Sequence, residues 1–105
     1  MVENTSWAVT SVVIDERVMF TLPELCHASG AERGDLLALV HEGLLAPTGD
    51  GPEAWLFNGP ALMQARRALR LARELDIGLA GAAVVIDLLD EIDSLRTLLR
   101  RRVAS

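Results

Sequence analysis

Lysine and tyrosine are both absent from the 105 residues, and cysteine occurs once. All ten basic side chains are therefore arginine, against fifteen acidic ones, for a formal charge of −5. An acidic chain lacks the basic footprint of a protein that neutralises many phosphates, and without tyrosine it has little on which nucleic-acid bases could stack. The acidity suits solubility or a basic partner surface. The lone thiol, Cys26, excludes an intramolecular disulfide and gives no sign of an oxidising compartment. Long apolar runs are also missing. The longest, Ile77 to Ile86, stops at Asp87 after about half the length a bilayer crossing needs, so no membrane association is expected. Met1-Val2-Glu3-Asn4 carries no positive region leading into an apolar stretch, and a cytoplasmic location is expected. A chain of this size should form one compact unit without a large enzyme cleft.

Catalytic and ligand motifs are equally sparse. Cys26, His27 and His41 are metal-ligating types, but no second close pair completes a zinc spacing. Cys26 falls on the expected inner face of a helix, where a thiol is inert. Gly49-Asp50-Gly51 is followed by Pro52 and precedes a strand, which marks a turn and not a phosphate cradle. No cofactor, metal or catalytic group is expected, and the chain reads as a non-enzyme.

The signals that are present describe small elements in a definite order. Trp7 to Ile14 is rich in β-branched residues and bounded by Asp15-Glu16, suggesting a strand that continues at Val18-Met19-Phe20. Thr21-Leu22-Pro23-Glu24 combines a hydroxyl cap, a first-turn proline and a glutamate three residues after the cap, the pattern of a capping box. A short helix starts there, turns Leu22, Leu25 and Cys26 inward, and ends at Ser29-Gly30. A second runs from Glu32 to Glu42 and stops at Gly43. Two short helices joined by a tight glycine-containing turn are a helix-turn-helix. Leu44-Leu45-Ala46 and Ala54-Trp55-Leu56-Phe57, separated by a turn containing Asp50-Gly51, read as the strands of a β-hairpin wing, with Trp55 and Phe57 facing the helices.

Asn58-Gly59-Pro60 caps a third helix reaching Leu75, with Leu62, Ala65, Leu69, Ala72 and Leu75 inward. Arg66, Arg70 and Arg73 form the opposite stripe with Arg67 adjacent, and Glu74 can pair with Arg70 four residues before it. The last helix, from Leu79 to Arg101, spaces Val85, Leu88, Ile92, Leu95 and Leu99 as a coiled-coil seam does, and a homodimer through that seam is expected. The same helix carries a dense acidic set, Asp87, Asp90, Glu91 and Asp93. The expected fold class is mainly α: a small winged helix-turn-helix with a β-hairpin wing, followed by two helices, the last long and coiled-coil-like. Residues 1–19 form an N-terminal strand or extension, 20–58 the winged core, and 59–105 a dimerising helical region.

Within this order, "FTLPELCHASG", "LVHEGLLAP", a hairpin ending "WLF", and "RRALRLARELDI" followed by "IDLLDEIDSLRTLLRR" resemble the chaperone-modulator family of CbpM type, a member of the MerR-like winged-helix group. MerR-type regulators place Arg-Tyr-Tyr-Glu in the second helix just before its glycine. The interval from Gly30 to Gly43 keeps that register, and the slots hold Leu37, Ala38, Leu39 and Val40. Arginine can clamp a phosphate or pair with guanine, whereas leucine and alanine can do neither. Nucleic acid is therefore an unlikely partner. The resemblance implies that the chain binds the J-domain of a CbpA/DnaJ-like co-chaperone and inhibits its stimulation of DnaK, the alternative being a MerR-type DNA-binding transcriptional regulator. Two candidate J-domain surfaces follow: Leu37 with His41, and the acidic face of Asp87, Asp90, Glu91 and Asp93.

Overall fold

Local chemistry sets the boundaries of each element in the computed structural model, which describes residues 18–104. The strand expected at Trp7 to Ile14 lies outside the described residues. Strand β1 (Met19–Thr21) leads directly into helix α1 (Leu22–Ser29). The predicted capping box is formed: the Glu24 amide donates to Thr21 Oγ1 at 3.3 Å, and the Thr21 amide donates to Glu24 Oε1 at 2.9 Å. These contacts occupy donors that a helix start leaves unsatisfied. Gly30 ends α1 at φ 81°, a left-handed conformation that costs glycine nothing. At the start of helix α2 (Arg33–His41) the Glu32 amide donates to Asp35 Oδ2 at 3.0 Å, and the Asp35 amide donates to the Glu32 backbone carbonyl at 3.0 Å.

Helix α3 (Gly59–Leu75) starts on Asn58, whose side chain accepts from the Ala61 amide at 3.0 Å. At its other end Asp76 takes the left-handed conformation with φ 54°, and the chain reverses into helix α4 (Leu79–Ala104). The core joins Leu22 and Leu25 of α1, Leu36 and Leu39 of α2, Leu45, Phe57, the α3 residues Leu62, Ala65 and Ala68, and Ala82 and Ile86 of α4. Leu75, expected inward on α3, is 52% exposed, because the buried stripe of the helix stops at Ala68 and its last turns run past the core.

The wing differs from the sequence expectation in its strands. Leu44 and Leu45 do not lie in a ladder: both amides donate to the Leu39 carbonyl, at 3.0 and 3.3 Å, and so close the last turn of α2, while the Leu45 side chain enters the core. Strand β2 (Leu56–Asn58) pairs antiparallel with β1, Met19 opposite Asn58 and Phe20 opposite Phe57. The hairpin is reduced to one bridge between Thr48 and Leu56, with backbone hydrogen bonds of 3.0 and 2.9 Å. A single 3-10 turn (Pro52–Ala54) fills its tip. Trp55 and Phe57 meet edge to face, with ring centroids 5.9 Å apart, and the fully buried Phe57 carries the wing into the core.

Gly49 holds φ 107°, and a Cβ there would run into the Ala54 carbonyl. Gly49→Ala should lower stability by about 1–3 kcal/mol and open the wing first, read as urea unfolding together with faster exchange of the Leu56 amide. Ile86→Ala, at the point where α4 meets the core, should cost about 2–5 kcal/mol by the same denaturation assay.

Candidate functional site

Helix α2 carries the first pair of expected contact residues, Leu37 and His41. Its inner side is fixed by Leu36 and Leu39, both fully buried. Leu37, Ala38 and Val40 lie at the margin, half-buried, with Leu37 and Val40 packed on the edge of the core, and His41 is exposed. Leu37 is thus neither free in solvent nor sealed inside. One side of it supports the domain and the other meets water, the geometry of a side chain able to enter an apolar contact with another molecule. His41 lies one turn further along the same side. No side chain in the 37–40 slots can donate to a phosphate or a base edge.

Helix α4 has two unlike faces. At about 100° per residue, Ala82 and Ile86 lie on one side and Leu88, Ile92, Leu95 and Leu99 on nearly the opposite one. Ala82, Ala83 and Ile86 are buried against the body of the chain, and α4 packs on both α2 and α3. The seam residues stand out in solvent, Leu88 58% exposed, Leu95 55% and Leu99 62%, with Val85 half-buried at the start. Leu98 and Val103 are exposed as well.

The acidic set is spread around the helix and does not form a single line. Asp90 and Asp93 continue the side of Ile86, while Asp87 and Glu91 lie on a shoulder toward the seam. All four are exposed, but Asp90 is engaged by Arg67 of α3, Nη1 to Oδ1 at 3.0 Å. This pairing spans 23 residues, and nothing in the spacing foretold it. Arg66 donates to the Ala28 carbonyl at 3.0 Å, a favourable place for a cation at the end of α1. Arg70 and Glu74 do not form the ion pair their spacing allowed. Among the described residues no group of three or more His, Cys, Asp or Glu side chains is placed to hold a metal, and no helix is long and apolar enough to cross a membrane.

Residues 20–101 match the profile of the MerR HTH family regulatory proteins. Over 96 residues, 91% of each chain, the sequence is 30% identical to the chaperone modulatory protein CbpM of Coxiella burnetii (strain Dugway 5J108-111). The chain belongs to the CbpM family, within the MerR HTH group. Similar relatives of the same name occur in Pseudomonas putida (strain GB-1), 33% identical over 82% of this chain and 88% of that protein, and in Citrobacter koseri (strain ATCC BAA-895 / CDC 4225-83 / SGSC4696), 34% identical over 80% and 83%. For a CbpM-family chain, the apolar α2 surface and the bare seam of α4 are the features to explain.

The Arg67–Asp90 pair is about half exposed on its acidic side, so its net contribution is expected to be small. Asp90→Asn should change stability by less than about 1 kcal/mol, measured by thermal unfolding at low and high salt.

Proposed function

We propose that this chain is a non-enzymatic chaperone modulator that binds the J-domain of a CbpA/DnaJ-like co-chaperone and inhibits its stimulation of DnaK. The observation that carries the reading is the surface of α2: the helix that reads DNA in MerR-type regulators presents Leu37, Ala38, Val40 and His41 here, an apolar edge with no phosphate ligand. The acidic shoulder of α4 supports it by charge. A basic helix approaching the domain is drawn toward Asp87 and Glu91 on that shoulder and Asp93 beside it, none of which forms an ion pair with an arginine of the described residues. In this scheme the α4 acids speed encounter, and Leu37 with His41 supplies contact.

The second reading, a MerR-type DNA-binding regulator, is favoured only by the arginines of α3. Sequence-dependent retention of genomic fragments in a gel shift at physiological salt would support it and remove the first. We also propose a homodimer through Val85, Leu88, Ile92, Leu95 and Leu99, because a stripe of that exposure is seldom left bare in solution.

Calorimetric titration against a J-domain from the same genome should show binding by the wild type. Leu37→Glu should weaken it by about 2 kcal/mol while costing the fold about 1 kcal/mol, since only part of the side chain is buried. His41→Glu should weaken it without moving the thermal transition. Reversing Asp87, Glu91 and Asp93 should slow association and flatten its salt dependence. Absence of wild-type binding would end the J-domain reading, and unchanged affinity in both folded α2 variants would move the contact elsewhere. Light scattering should give about twice the 11.4 kDa protomer mass, and Leu95→Glu should reduce it to the protomer value.

A further inference from the structure

A second surface of the molecule has the opposite charge. Between β1 and α1 runs an open groove lined by Met19, Phe20, Pro23 and Ala28, with Glu24 and His27 at its margin. Met19 is 41% exposed there. The Glu24 carboxylate is committed to the α1 cap through the Thr21 amide, which leaves the groove an apolar floor. At its Ala28 end the groove meets helix α3, where the Arg66 guanidinium sits on the Ala28 carbonyl at 3.0 Å. From that fixed point Arg70 and Arg73 follow at spacings of four and three residues, which keeps them on one side of α3 over about 10 Å. Both are exposed, and among the described residues neither has an ion-pair partner. Arg67, the fourth arginine of the helix, turns away to Asp90. A chain of net charge −5 thus aligns three guanidinium groups on one side of α3, the first of them, Arg66, at the Ala28 end of the apolar groove.

We propose that this groove and its arginine rim form a docking surface for a protein segment that carries apolar residues followed by carboxylates. The apolar part would cover Met19, Phe20 and Pro23. The carboxylates would then fall beside Arg66, Arg70 and Arg73, where each arginine can offer two parallel donors to a carboxylate. A phosphate backbone fits less well, because it has no apolar group for the groove and this surface adds no aromatic platform beyond Phe20. The surface is distinct from the α2 edge and the α4 acids, so its partner has the reverse chemistry of the basic helix proposed for those sites.

The test is fluorescence anisotropy with the full chain and a dye-labelled peptide of alternating valine and leucine followed by a run of glutamates. Two controls accompany it: the same peptide with glutamine in place of glutamate, and a labelled DNA duplex. The acidic peptide should bind, and more weakly as salt rises. Binding should fall about tenfold in a chain carrying Arg70→Glu and Arg73→Glu, and again in Met19→Glu, with circular dichroism unchanged in each. The wild type should prefer the acidic peptide to the glutamine control and to DNA, and the arginine variant should still bind the J-domain as the wild type does. Equal binding of the glutamine peptide, undiminished affinity in the folded arginine variant, stronger binding of DNA, or no binding by the full chain would each overturn the proposal.

Discussion

Two helices approach closely only where the side chains between them are small, and the join of α3 to α4 depends on that constraint. The buried residues of α3 include Ala61, Ala65 and Ala68, and those of α4 are Ala82, Ala83 and Ile86. The contact between these helices is the most extensive in the fold. Small side chains at buried positions of both helices permit a close approach, and the fully buried Ile86 supplies the bulk on α4. The helix-turn-helix then has a floor to rest on: Leu22, Leu25, Leu36 and Leu39 all reach the same cluster.

That arrangement explains how a DNA-reading scaffold can be turned to another purpose at small cost. Leu36 and Leu39 hold α2 in place from inside, while the residues at its margin contribute far less to the core. The margin can exchange arginine and tyrosine for leucine and alanine without disturbing the caps or the turn at Gly30. Fold and chemistry are therefore decided on different sides of one helix.

Elements whose signals are local were legible in the sequence. The capping box at Thr21 and Glu24, the glycine stop of α1 and the span of α2 all stand as read, since each depends on residues within a turn of one another. Strand pairing was harder. Leu44-Leu45 and Leu56-Phe57 look equally extended, but only the structure shows that the first pair spends its amides on the Leu39 carbonyl while β1, 35 residues or more away along the register, takes the place beside β2. Arg67 and Asp90 were both singled out as charged surface, yet their meeting depends on how α3 and α4 cross, which no local spacing encodes. The seam of α4 was visible as a periodicity, and its leucines and isoleucine stand exposed.

The two faces of α4 also order events in time. Its first turns are held by the body of the chain through Ala82, Ala83 and Ile86, and the apolar seam points the other way. Nothing in the collapse of the core has to wait for the seam to be covered. If the seam does associate, as proposed, that step would be second-order and slow on dilution, whereas closure of the core, built on largely helical contacts, would be first-order and independent of concentration.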